Sequence, residues 1–207
     1  ATDCWTTAVL VAAGAAVVVA GAAVEEAARA AVVVVLAGAA VVLAGADEVL
    51  ALARAMNQSA PLDLRVNTLK GDRDTLLAKL AADDIAATPG SLSPLAVRLR
   101  DKPALAKHPL FLEGAFEVQD EGSQLLGFLL EPKRGEMVVD FCAGAGGKTL
   151  LLGALMRNTG RLYAFDVSDK RLTNLKPRLA RSGLSNVHPA RIEHERDQKI
   201  KRLAGKA

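Results

Sequence analysis

Val138-Val139-Asp140-Phe141-Cys142-Ala143-Gly144-Ala145-Gly146-Gly147-Lys148-Thr149 reads as a short apolar β-strand that runs into a glycine-rich loop and then into the leucine-rich helix Leu150 to Met156. The glycines allow a tight turn and a close backbone approach to a ligand, and the helix start offers free N–H groups. Open α/β sheets bind ligands at this place, the carboxyl end of a strand. The stretch therefore marks a nucleotide-like cofactor site on a doubly wound sheet.

Spacing decides which cofactor. The dinucleotide fingerprint needs Gly-x-Gly-x-x-Gly, but Gly144, Gly146 and Gly147 fall as Gly-x-Gly-Gly, and Thr149 occupies the place of the third glycine. A P-loop ends in Gly-Lys-Thr, as Gly147-Lys148-Thr149 does, yet Cys142 stands where its first glycine belongs. Each match fails by one position. The next strand, Arg161-Leu162-Tyr163-Ala164-Phe165-Asp166, ends in an acid about twenty residues on, where such sheets place the carboxylate that accepts ribose hydroxyls. A ribose acid beside a loop without a phosphate fingerprint favours an adenosine cofactor lacking a pyrophosphate, and S-adenosyl-L-methionine is the commonest.

The 207 residues, 51% of them hydrophobic, suffice for one or two domains with a substantial core. Residues 47–207 hold 25 of the basic and 20 of the acidic side chains, and eleven Lys or Arg against three acids lie from Lys170 onward. That bias suits a polyanionic partner such as RNA, with a solvated helix face as the plainer reading. Two cysteines, Cys4 and Cys142, support neither a disulfide framework nor a zinc site, and His108, His188 and His194 share no metal-ligand spacing. A reducing, cytoplasmic setting with no metal is the expectation.

Residues 8–46 are almost wholly Ala, Val, Gly and Leu, interrupted by Glu25, Glu26 and Arg29. Residues 1–57 are read as a helical N-terminal region of unusual composition. Its apolar runs, Ala8 to Val24 and Ala30 to Ala46, reach the short end of a bilayer span of roughly 17 to 25 residues, but they are poor in Leu and hold no Ile or Phe, unlike membrane helices. Membrane insertion is the minor reading. From Pro61 the alternation of Leu62-Asp63-Leu64-Arg65-Val66-Asn67 predicts a half-buried strand, and Leu76, Leu77, Leu80 and Ala81 predict a helix over 72–82. Short strands follow around 85–88 and 96–100, so 62–115 reads as a small α+β subdomain. Residues 116–207 then give a strand, a helix beginning near Glu121, the central strand and loop, the strand ending at Asp166, and a basic helix over 169–182 that Pro177 kinks or interrupts. A strand over 186–192 and a charged helix over 193–206 complete this half of a doubly wound sheet.

Four segments stand in order: Leu64-Arg65-Val66-Asn67-Thr68-Leu69, Val118-Gln119-Asp120-Glu121-Gly122-Ser123-Gln124, the loop Asp140 to Thr149, and Ala164-Phe165-Asp166 followed by Arg171-Leu172. Together they resemble the Fmu/Sun-type RNA cytosine-C5 methyltransferases. The resemblance implies a partial Rossmann-like methyltransferase sheet, preceded by an RNA-facing subdomain and a helical region. It implies that Cys142, Ala143, Gly144, Ala145, Gly146, Gly147 and Lys148 wrap the methionine and ribose parts of S-adenosyl-L-methionine, that Asp166 holds the ribose, and that the RNA is ribosomal. Glu193 does not align cleanly with the family's third acidic contact and is left unassigned.

Cytosine C5 attacks a methyl group only after a cysteine thiolate has added to C6. The resemblance places that cysteine, a second one for product release and an aspartate beyond Ala207, and it turns Cys142 toward the cofactor. The chain is therefore expected to hold the cofactor half of the enzyme without its nucleophile. Two other classes compete: a non-catalytic cofactor- or RNA-binding module, and a P-loop-like phosphate binder acting through Lys148.

Overall fold

The computed structural model describes residues 46–203 and 205, with the backbone of 9–12, 15–18, 31–36 and 39–44. The chain divides into two compact units, Ala1–Ala60 and Pro61–Ala207. In the first, β1 (Val9–Ala12), β2 (Ala15–Val18), β3 (Ala31–Leu36) and β4 (Ala39–Ala44) pair antiparallel in sequence order, and α1 (Ala46–Met56) follows. The helical reading of residues 1–57 is thus corrected: among the described residues it holds for α1 alone. Runs such as Val32–Val35 are stiff at χ1 and favour the extended chain over the helix. Among the described residues no helix is long and apolar enough to cross a membrane. Parts of both apolar runs weighed as membrane spans lie outside the described residues.

The second unit begins with a four-stranded antiparallel sheet in the order β6-β7-β5-β8, formed by β5 (Leu62–Val66), β6 (Ala87–Pro89), β7 (Ala96–Leu99) and β8 (Phe116–Val118). Register sets Leu64 beside Val97 on one side and Val118 on the other. Helix α2 (Arg73–Ala82), capped by Asp72, buries Leu76 and Leu80 against Leu64, Val66, Val97, Leu99 and Phe116. The short helix α3 (Pro109–Leu112) adds Leu110 to this core. Phe116–Val118 therefore completes the sheet of the preceding subdomain, past the boundary drawn at 115.

The three parallel strands β9 (Met137–Asp140), β10 (Arg161–Asp166) and β11 (Val187–Arg191) run in the order β11-β10-β9. Helices α4 (Glu121–Leu130), α5 (Gly147–Leu155) and α6 (Asp169–Ser182) precede and connect them. Leu150, Leu152, Met156, Leu162, Ala164, Leu172 and Leu175 form the core. Gly127 of α4 has no Cβ, and one placed there would collide with Leu151 of α5, so this glycine lets the two helices approach. Helix α6 runs unbroken through Pro177; Leu172 and Leu175, buried in the preceding turn, anchor it.

Among the described residues, the helix read over 193–206 shrinks to α7 (Gln198–Lys201). Ahead of it, the Glu193 N–H donates to Asp197 Oδ2 and the Arg196 N–H to His194 Nδ1, so side chains capture backbone groups that a helix would use. The half-buried reading of β5 is corrected too. Asp63 and Arg65, on the face expected to meet solvent, are 4% and 1% exposed.

Candidate cofactor site

The strand-to-helix turn is fixed by side chains at its two ends. Thr149 Oγ1, in the first turn of α5, donates to Asp140 Oδ2 at the end of β9 over 2.6 Å. Between them the loop leans on the neighbouring strand: the Ala143 N–H donates to the Phe165 carbonyl (2.8 Å) and the Gly144 N–H to Asp166 Oδ2 (2.9 Å). Asp166 Oδ1 accepts the Ser168 N–H at 2.8 Å, where Ser168 caps α6. Buried Asp166 thus gives one lone pair of each oxygen to the backbone, and the carboxylate keeps capacity for ligand hydroxyls. Arg171 Nη1 lies 3.9 Å from Oδ2.

Gly146 caps α5 at φ 87°, and a Cβ there would meet the Leu175 side chain, so only glycine fits. No side chain caps α5, which leaves its first N–H groups facing the loop. In front of them opens a cleft of about 300 Å³. Cys142, Ala143, Gly147 and Lys148 line it from the loop, Val118, Gln119, Asp120 and Ser123 from the β8–α4 turn, and Arg178 from α6. Of the residues singled out in the sequence, four line the cleft, while Gly144, Ala145 and Gly146 shape the turn and Asp166, outside the lining, joins the loop through the Gly144 N–H. Cys142 is an exposed free thiol. Among the described residues no cluster of His, Cys, Asp and Glu is placed to hold a metal ion.

Sequence reasoning missed the charged cluster behind the cleft. Glu117 on β8 accepts from Arg178 Nε at 2.9 Å, with Arg178 Nη2 at 2.8 Å from the same oxygen, and Arg178 Nη1 donates to the Ala145 carbonyl at 2.9 Å. Arg181 Nη2 approaches the other Glu117 oxygen to 2.7 Å without hydrogen-bond alignment, and its guanidinium lies 4.2 Å from the Phe111 ring centre. Buried Arg65 donates to Gln119 Oε1 at 2.6 Å; burial pulls its pKa down to about 10, opposed by the Glu117 charge. Three guanidiniums around one carboxylate make the interior behind the loop electropositive. The one trace in the sequence is the three-residue spacing of Arg178 and Arg181, which puts both on one helix face.

A second network knits the same sheet face to α4. Asp63 takes both Arg98 Nε (2.7 Å) and Nη2 (2.9 Å) and the Glu121 N–H (3.2 Å), and Glu121 Oε1 accepts the Leu92 and Ser93 N–H groups. Arg98 holds the Asp63 carboxyl below its ordinary range, and the Ser93 and Leu92 N–H groups do the same for Glu121.

A glycine loop between parallel β9 and α5, braced by an acid at the end of β10, defines a Rossmann-like methyltransferase domain. The 16S rRNA methyltransferase RsmB/F model matches residues 127–204, and the RsmF/B-like ferredoxin-like domain model matches 41–106. Over these two segments the chain is similar to the RsmB/F methyltransferases. It is 38% identical over 125 residues to the probable ribosomal RNA small subunit methyltransferase B of Bacillus subtilis, covering 60% of this chain and 28% of that protein. It is 35% identical over 143 residues to the 28S rRNA (cytosine-C(5))-methyltransferase of Mus musculus, covering 60% and 31%. The chain spans about a third of the length of these curated relatives. Among solved structures, a methyltransferase homologue from Pyrococcus horikoshii is 35% identical with a TM-score of 0.62, covering 69% of this chain and 46% of that one. NSun6 from Pyrococcus horikoshii with SFG, at 18% identity, shares the fold with a TM-score of 0.60, covering 64% and 58%.

Proposed function

We propose that this chain carries the cofactor-binding half and the preceding RNA-facing subdomain of an S-adenosyl-L-methionine-dependent RNA cytosine-C5 methyltransferase that acts on ribosomal RNA in the cytoplasm. The observation that carries this reading is the Gly144–Asp166 hydrogen bond, which sets the loop and an acid with spare acceptor capacity at the carboxyl ends of two parallel strands. The residues present fit the cofactor. Asp166 takes the ribose hydroxyls, the Cys142–Lys148 loop wraps the methionine and ribose parts, and the uncapped start of α5 faces the cleft. When bound, the cofactor supplies an electrophilic methyl group. The relatives' names support RNA as substrate, and the basic residues from Lys170 onward, apart from the inward-turned Arg178 and Arg181, supply phosphate-neutralising charge. The small subdomain, 62–115 with the edge strand β8, is the RNA-facing part. Cys142 serves the cofactor rather than the base, because it lines the same cleft as Gly147 and Lys148.

The bond between Thr149 and Asp140 speaks against a P-loop, which needs that hydroxyl for a magnesium ion. Thermal unfolding of the full chain with S-adenosylmethionine or with ATP and magnesium tests the reading. The methyl donor is expected to raise the midpoint and ATP to leave it unchanged. Stabilisation by ATP alone, lost in Lys148→Ala, would replace this reading with the phosphate binder.

A further inference from the structure

Gln119 sits at the turn between β8 and α4, is 7% exposed, and has its four polar groups in different hands. Its N–H donates to the Asp63 carbonyl, its carbonyl accepts Gln124 Nε2, and its Oε1 accepts Arg65 Nε at 2.6 Å. Its Nε2 is buried and has no partner.

Which end of a glutamine amide carries the nitrogen is normally a matter of assignment. Here chemistry fixes it. Arginine is a donor at every nitrogen, so only the oxygen of Gln119 can face Arg65, and the amino group must turn the other way. That way leads to the start of α5: a Cβ built on Gly147 would lie 3.8 Å from Nε2. An unpartnered buried donor is costly, and a ligand acceptor removes that cost.

We infer that Gln119 Nε2 and the uncapped N-terminus of α5 form an oxyanion subsite that takes the carboxylate of the cofactor's amino-acid end. The inference rests on the cofactor reading above and adds to it a residue from outside the glycine loop. Lys148 lines the same cleft and adds positive charge, as does the helix N-terminus. The cleft also holds a carboxylate, Asp120, whose Oδ1 accepts the Ser123 N–H at 2.9 Å. Donors on one wall and an acid on another suit an α-amino acid zwitterion, whose ammonium group can meet Asp120, better than a phosphate, which has no such group. An RNA phosphate is the other source of an oxyanion, and the test separates the two.

Gln119→Glu keeps the acceptor for Arg65 and exchanges the donor for an anionic oxygen. Titration of the full chain and of the variant would use S-adenosylmethionine, 5′-methylthioadenosine, which lacks the amino-acid end, and inorganic phosphate. The variant is expected to bind S-adenosylmethionine at least tenfold more weakly and methylthioadenosine within twofold of the parent chain. Equal weakening of both ligands, or an unchanged affinity for S-adenosylmethionine, would overturn the inference. If phosphate binding alone weakens, the subsite takes an RNA phosphate and the carboxylate assignment is wrong. A parent chain that binds neither adenosyl ligand sinks the cofactor reading itself, and the inference with it. Should Gln119→Glu fail to fold, Gly147→Ala, which fills the space in front of Nε2, is expected to give the same split between the two adenosyl ligands, and an equal response to both would overturn the assignment.

Discussion

The central strand of the antiparallel sheet, β5, is buried on both faces from Asp63 to Val66, whereas all four residues of β9 in the parallel sheet stay half-exposed. Both are short strands with apolar residues at the sheet's heart, and what covers them differs. β5 has β7 and β8 on its flanks, α2 over one face, and the Asp63 and Arg65 networks on the other. β9 pairs with β10 alone among the described residues. Beside it α4 leaves Leu126, Leu129 and Leu130 exposed, Leu129 at 79%. Polar side chains can thus lie deeper than valines, provided each has a partner in place.

Removing one partner is the sharpest way to break that contrast. Glu117→Ala leaves Arg65, Arg178 and Arg181 without their shared counter-charge and is expected to cost about 3–5 kcal/mol in denaturant unfolding. It would also loosen the loop, since Arg178 ties Glu117 to the Ala145 carbonyl. A cost under about 1 kcal/mol would mean that the three arginines reach solvent when the acid is gone.

Acid should act on the same face more gently. Asp63 and Glu121 have folded pKa values below their ordinary ones, so their contribution is complete above the unfolded carboxylate range of about 4 and is lost as pH falls through the lower folded values. Denaturation midpoints measured downward from pH 5 are expected to drop below about pH 4, and Asp63→Asn to flatten that drop. The smallest effect is expected on the open side of the parallel sheet. Leu129→Lys should change stability by less than about 0.5 kcal/mol, and a larger loss would show that α4 is covered there in solution.

The same contrast explains what could be read from the sequence. The parallel half was legible because its signals are local: an apolar run, a glycine turn, and an acid at a set distance. Gly146 and Asp166 stand where those signals put them. β5 was legible as a strand, but its alternation of apolar and polar residues implies a wet face, and the partners that dry that face come from Arg98, Gln119 and Glu121, tens of residues away. The basic face of α6 misled in the same manner, since Glu117 draws Arg178 and Arg181 inward. The helical readings of β1 to β4 and of residues 193–197 failed for local reasons: valine-rich runs that prefer strands, and Asp197 and His194 side chains that take the backbone's hydrogen bonds.

The central claim is that the Cys142–Lys148 loop and Asp166 form an adenosyl cofactor site, and isothermal titration of the full chain with S-adenosylmethionine, beside Asp166→Ala, tests it most directly. The account predicts saturable binding by the parent chain and at least a tenfold loss in the variant, with both proteins folded by circular dichroism. Undiminished binding by a folded Asp166→Ala, or none by the folded parent chain, would contradict it.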